Sequence, residues 1–204
     1  MKKIILTLSA LILFSIGGPA QNRESTRNIL LVVDLQKDFI DGSLAVNGAE
    51  EIVPLIDNIK GKFDYVYFTL DWHPFNHCSF TPQNGPWPVH CVNYSEGASI
   101  PNKILSDLDS NKIRFFEKGS NANEEEYGAF SNITTESGIF NAGDKIVVCG
   151  IAAEYCVLET LKNIVKMRDT LKLDISVYLD GVACIESFNP LTSFMSEMGI
   201  SQYK

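Results

Sequence analysis

The chain has 204 residues, 45% of them hydrophobic and 21% charged, with a formal net charge of −8. That size and apolar content suit one domain with a substantial core. The acidity is spread along the chain and serves solubility; it argues against a nucleic-acid partner and against an anionic membrane surface.

The N-terminus stands apart. Lys2-Lys3 precede an apolar run from Ile4 to Ile16, and Gly17-Gly18-Pro19-Ala20-Gln21 follow. A basic start, an apolar stretch and small residues at the end form the pattern of a secretory signal. The run is too short for a comfortable membrane span. Cleavage is expected after Ala20, leaving a domain over 21–204, exported to a periplasm or secreted, with no stable membrane association. An uncleaved anchor or a plain extension stays open.

A continuous apolar run, Ile29-Leu30-Leu31-Val32-Val33, reads as a buried parallel strand ending at Asp34. Between Gly48 and Lys60, apolar Ile52, Val53, Leu55, Ile56 and Ile59 make a helical face. Tyr65 to Leu70 is the second strand, and residues 71–100 form a long loop, a length that in a compact domain usually carries function. Pro101 opens a short helix ending near Asp109, and Ile113 to Phe116 is a strand leading into Lys118-Gly119. Lys145 to Val148 is a strand ending in Cys149-Gly150, followed by a helix from Cys156 to Met167. Leu173 to Leu179 is a strand, and Leu191 to Met198 a last helix, so that any final edge strand is short. Alternating strands and helices imply an α/β fold: a doubly wound, mainly parallel sheet with helices on both faces.

Polar residues fall at the carboxyl ends of these strands, where open α/β sheets bind ligands. Asp71-Trp72-His73-Pro74-Phe75-Asn76-His77 follows the second strand, and His90 lies on the same loop. All three histidines fall between positions 73 and 90. Carboxylate and imidazole together suit a borderline divalent metal. Cys156 sits where a loop becomes a helix, and amides at a helix start favour a thiolate and can hold an oxyanion. Lys118 adds positive charge, and Asp34 can accept the thiol proton and return it to a leaving group. The five cysteines, Cys78, Cys91, Cys149, Cys156 and Cys184, are odd in number and fit no disulfide framework. Cys149 and Cys184 read as core residues, and a bond between Cys78 and Cys91 stays open.

Taken together, these segments resemble the isochorismatase-like cysteine hydrolases, and within them the nicotinamidases (pyrazinamidases). The resemblance rests on Asp34-Leu35-Gln36-Lys37-Asp38-Phe39, Asp71-Trp72-His73-Pro74, Trp87-Pro88-Val89-His90-Cys91, Lys118-Gly119 with Glu126-Tyr127-Gly128-Ala129-Phe130, and Gly150-Ile151-Ala152-Ala153-Glu154-Tyr155-Cys156-Val157. It implies a catalytic triad of Asp34, Lys118 and Cys156. It implies one divalent metal ion on Asp71, His73 and His90, zinc first among the candidates, with iron or manganese as alternatives. His77 would be an extra ligand or the partner of a bound water. Phe39 and Trp87 would flank an aromatic ring, with Tyr127 and Tyr155 as further pocket residues. The amides of Ala152 and Cys156 would form the oxyanion hole, with a cis peptide before Ala152. The implied reaction is hydrolysis of nicotinamide to nicotinate and ammonia through a cysteine thioester.

Several readings stay open at this level: a cysteine amidase for another small amide or an N-carbamoyl compound, an exported metal- and pyridine-binding protein without turnover, and a hydrolase using metal-activated water. A homo-oligomer is open as well.

Overall fold

The structure, a computed structural model, describes residues 26–204; the leader expected over 1–20 lies outside the described residues. Six strands form one sheet: β1 (Asn28–Val33), β2 (Tyr65–Asp71), β3 (Ile113–Lys118), β4 (Lys145–Gly150), β5 (Asp174–Val182) and β6 (Ser201–Gln202). Their order is β3-β2-β1-β4-β5-β6, and every neighbouring pair is parallel. The chain winds outward from β1 to β3, then returns to the centre and winds the other way from β4. The strand order therefore reverses between β1 and β4, and a crevice opens beyond their carboxyl ends.

Composition explains the centre of the sheet. Ile29 to Val33 are fully buried, as unbroken apolar runs must be in a strand covered on both faces. The helix α2 (Ala49–Lys60) buries Ile52, Ile56 and Ile59, one stripe at helical spacing, and carries Glu50 and Glu51 in its first turn. Leu55, on the flank of the expected apolar face, is exposed.

Some elements differ from expectation. A one-turn helix, α1 (Lys37–Ile40), follows β1. The helix expected from Pro101 to Asp109 is the short α3 (Asn102–Leu105), because the chain turns extended at Ser106 and Asp107 adopts a positive φ. The buried Lys60 ammonium donates to the carbonyls of Lys103, Ile104 and Ser106 at 2.8–3.0 Å and pairs with Asp57 at 2.7 Å, capping that helix end. The helix expected from Cys156 begins instead as a π-helical turn over Ala153–Val157 and continues as α4 (Leu158–Leu171). The last helix, α5 (Asn189–Met198), and the two-residue β6 close the fold. No described helix is long and apolar enough to cross a membrane.

Candidate active site

Asp34 is the first residue beyond β1, and the π-helical turn carrying Cys156 follows β4, so the two straddle the point where strand order reverses. Asp34 is buried at φ +46°, an uncommon value outside glycine. Thr69, the residue paired with Val33 on β2, holds it there. The Asp34 amide donates to the Thr69 carbonyl and hydroxyl at 3.2 Å, and the hydroxyl donates back to Asp34 Oδ1 at 2.6 Å. Gly150 makes the closeness of β1 and β4 possible: its φ is +120°, and a Cβ there would strike the Val33 backbone.

Parallel register sets Lys118 beside Asp71. The buried Lys118 ammonium pairs with Asp71 Oδ1, lies 2.8 Å from Asp34 Oδ2 and lies 3.5 Å from Cys156 Sγ. Asp34 Oδ2 has that ion pair but no aligned hydrogen bond among the described residues. A carboxylate oxygen of Asp34 also lies within 4.8 Å of the Cys156 sulfur. An acceptor with lone-pair capacity thus faces a thiol.

The electrostatics divide the labour. Burial pushes the Asp34 carboxyl above its ordinary range and Asp71 adds to this, against the pull of Lys118. Burial would lower Lys118, but the charges of Asp34 and Asp71 hold it well above its usual value, so it stays a cation. Asp71, though buried, is held below its usual range by Lys118 and His73. Burial pushes the Cys156 thiol up, with only Lys118 pulling strongly the other way. The thiol is enclosed, so the favour that helix-start amides and Lys118 lend to a thiolate is opposed by desolvation. Ionisation of Cys156 is therefore a proton transfer, and Asp34, an anion of raised basicity, is the base in reach.

Asp71 turns its second oxygen to the histidines, at 3.4 Å from His73 Nε2 and 3.8 Å from His90 Nε2. His73 Nδ1 bonds the Gly119 carbonyl at 2.8 Å, and His90 Nδ1 bonds the Pro88 carbonyl at 2.7 Å. A carbonyl only accepts, so each Nδ1 carries a proton, and in the neutral ring each Nε2 presents a lone pair toward Asp71. Two imidazoles and a carboxylate converging in a buried place suit a cation between them. Burial lowers His90; it also acts to lower His73, but Asp71 outweighs it and raises that ring. A metal ion would take the place of that proton. The residues therefore fit a divalent ion. Gly119, at φ +64°, is required here, because a Cβ would strike the His73 ring.

His77 stands outside this group. Its Nδ1 bonds Ser79 Oγ at 2.7 Å, its Nε2 bonds the Glu124 carbonyl at 3.0 Å, and its ring lies 4.1 Å from that of His73. With both nitrogens engaged in this way, His77 packs beside His73 and is not grouped with the Asp71, His73 and His90 donors. Cys78 and Cys91 are both free thiols, so the bond between them is not made.

A small cavity of about 30 Å³ reaches Cys156 and is lined by Phe39, Trp87, His90, Tyr127, Ala152 and Tyr155 among others. The Phe39 ring lies 5.4 Å from that of His90, Trp87 Nε1 donates to the Tyr127 hydroxyl at 3.1 Å, and Trp87 meets Tyr155 edge-on at 5.2 Å. The peptide between Ile151 and Ala152 is cis. Leu44, Val46, Glu125 and Ile185 also line the cavity and escaped the sequence reading. So did the work of two residues inside a recognised motif. Gln36 donates to the carbonyls of Asp71 and Ala98 and accepts from the Asp71 amide, at 2.8–2.9 Å. Asp38 accepts from the Cys91 amide at 2.7 Å and from Ser43 at 3.2 Å. Thr69 carried a signal, as a polar residue inside an apolar strand run.

The isochorismatase domain model matches residues 28–192. This chain belongs to the isochorismatase family. It is 32% identical over 162 residues to a nicotinamidase of Acinetobacter baylyi, covering 68% of this chain and 74% of that one. Among solved structures, the pyrazinamidase of Pyrococcus horikoshii in complex with zinc aligns with a TM-score of 0.72 at 30% identity, covering 87% of this chain and 99% of that one. PnC1 of L. infantum in complex with nicotinate aligns with the same TM-score at 29% identity, covering 88% and 93%. The six-stranded parallel sheet is the family's architecture, as the alternation of strands and helices implied.

Proposed function

We propose that this chain is a nicotinamidase, a cysteine amidase that hydrolyses nicotinamide to nicotinate and ammonia. The observation that carries the reading is the single buried Lys118 ammonium shared by Asp34, Asp71 and Cys156, beside a three-residue donor set for a divalent ion. The likeness to nicotinamidases, and to a structure holding nicotinate, supports the substrate class.

Asp71, His73 and His90 would hold the ion, zinc by analogy with the Pyrococcus protein, with iron or manganese as alternatives. When bound, it supplies a Lewis acid for a pyridine ring nitrogen, which aims the carboxamide at the sulfur. Phe39 and Trp87 flank the ring, with Tyr127 and Tyr155 behind it. Asp34 takes the Cys156 proton as the sulfur attacks the carboxamide carbon. The amides of Ala152 and Cys156 receive the oxyanion. Asp34 returns the proton to the departing ammonia, leaving a thioester, and then takes a proton from water as that water releases nicotinate. Lys118 offsets the negative charge and keeps Asp34 and Cys156 oriented.

Residues 1–20 support export, and the domain over 21–204 would then act on amide outside the cytoplasm.

The test is ammonia release from nicotinamide by residues 21–204 with zinc, beside Cys156→Ala. Turnover in the first and none in the second is expected. Equal turnover in both would remove the nucleophile and leave metal-activated water as the mechanism. No turnover in either, with the ion bound, would end the nicotinamidase reading.

A further inference from the structure

We infer that Glu154 is a positioning residue that sets the width of the substrate cavity by clasping the segment that carries Ile185, an inference that rests on the nicotinamidase reading. Glu154 lies in the π-helical turn, two residues before Cys156. Its carboxylate accepts from three consecutive backbone amides: Ile185 at 3.3 Å, Glu186 at 2.5 Å and Ser187 at 3.1 Å. Three successive amides on one carboxylate form an anion-binding nest, with charge-assisted bonds.

The clasped segment has Cys184 packed against the core, and Ser187 Oγ accepts from the Asn189 amide at 3.1 Å, while the amides of residues 185–187 are met by Glu154. It leaves β5 at Ala183, where the strand ends are joined by Ala183 N to the Gly150 carbonyl at 3.2 Å and Ala153 N to the Ala183 carbonyl at 2.9 Å. It re-enters regular structure at Asn189, the start of α5. Between these points Ile185 is 39% exposed and lines the cavity with Cys156, Ala152 and Phe39. The position of a half-exposed side chain follows that of its backbone, and Glu154 holds that backbone. One short turn thus carries both the nucleophile and the clasp for the wall facing it. In so small a cavity, a modest displacement of Ile185 changes which ring fits.

The experiment uses residues 21–204 with zinc and compares Glu154→Ala, Glu154→Gln, Ile185→Ala and the double variant Glu154→Ala/Ile185→Ala. Wild-type turnover of nicotinamide is read first, so failure of the substrate assignment is distinguished from failure of the clasp. Hydrogen exchange at the amides of residues 185–187 reads the clasp with no substrate present. Glu154→Ala is expected to speed that exchange and raise KM about tenfold with kcat kept within about threefold. Glu154→Gln, which keeps an acceptor but no charge, falls between, and serves alone if the alanine variant does not fold. Ile185→Ala raises KM similarly, and the double variant is no worse than the worse single one, since both act through one wall. Unchanged exchange, an unmoved KM despite faster exchange, or multiplying KM effects in the double variant would each overturn the inference.

Discussion

Asp71 and Lys118 are cross-strand partners on β2 and β3, and their ion pair joins the surroundings of Cys156, the proposed nucleophile, to the proposed metal donors. One oxygen of Asp71 serves Lys118, and the other faces His73 and His90. Asp71→Asn keeps the shape but removes the charge on both sides. Metal affinity should fall by more than the factor of about 10–100 typical of outer partners of a metal ligand, and turnover should fall with it at limiting metal. Isothermal titration with zinc reads the first, and ammonia release at graded zinc reads the second. Wild-type affinity in this variant would remove Asp71 from the donor set.

The Asp34–Thr69 contact predicts a pH effect with a definite sign. Asp34 must be ionised to accept the thiol proton, so activity falls as pH drops through its carboxyl pKa. Burial raises that pKa, and the Thr69 hydroxyl bond opposes the rise. Thr69→Val removes the bond with little change in shape. The acid limb of the kcat/KM profile should move to higher pH, with the Asp34–Cys156 pair titrating as a unit. An unmoved limb would show that another group sets it.

Much of this site was legible because each chemical residue closes or follows an apolar strand run: Asp34 after β1, Asp71 at the end of β2, Lys118 at the end of β3, Cys156 just beyond β4. Parallel register brings such positions to one sheet edge without further information. What the chain alone did not disclose depends on partners far apart in sequence. Gln36 meets Asp71 and Ala98 at separations of 35 and 62 residues, and Asp38 meets Cys91 at 53. The degree to which Cys156 is buried hid for the same reason, since its desolvation comes from the whole enclosure. The sequence reading placed His77 near the metal, but only the structure shows its nitrogens turned to Ser79 and Glu124.

The link from Asp38 to Cys91 fixes the backbone next to His90, a proposed metal donor. Cys91 has φ +44°, and the Asp38 carboxylate accepts from its amide. Asp38→Ala should free the segment carrying His90 and weaken zinc binding by about 10–100-fold, the range for outer partners of a metal site. Asp38→Asn, which keeps an acceptor, should recover part of it. Zinc titration of the two variants decides, and equal wild-type affinity in both would contradict the role.

Lys60 offers a prediction about stability alone. Its ammonium caps α3 through three carbonyls, and neither it nor α3 lines the cavity. Lys60→Met retains the buried stem and leaves those carbonyls unmet. The expected loss is about 1.5–3 kcal/mol, as for a hydrogen-bonded charged group, read by urea unfolding. Specific activity of the folded fraction should stay at the wild-type value.

The N-terminal pattern predicts processing. Lys2-Lys3, the apolar run to Ile16 and the small residues before Gln21 match the three parts of the proposed cleavable leader. When the full chain is expressed in a bacterium with a periplasm, the protein recovered from the periplasmic fraction should begin at Gln21 by N-terminal sequencing. Lys2→Glu/Lys3→Glu removes the positive start and should leave uncleaved chain in the cytoplasm. Because the site lies wholly within 34–187, both forms should share one kcat once purified with zinc. A wild-type chain that keeps Met1 and stays in the cytoplasm would end the export reading and leave the catalytic one untouched.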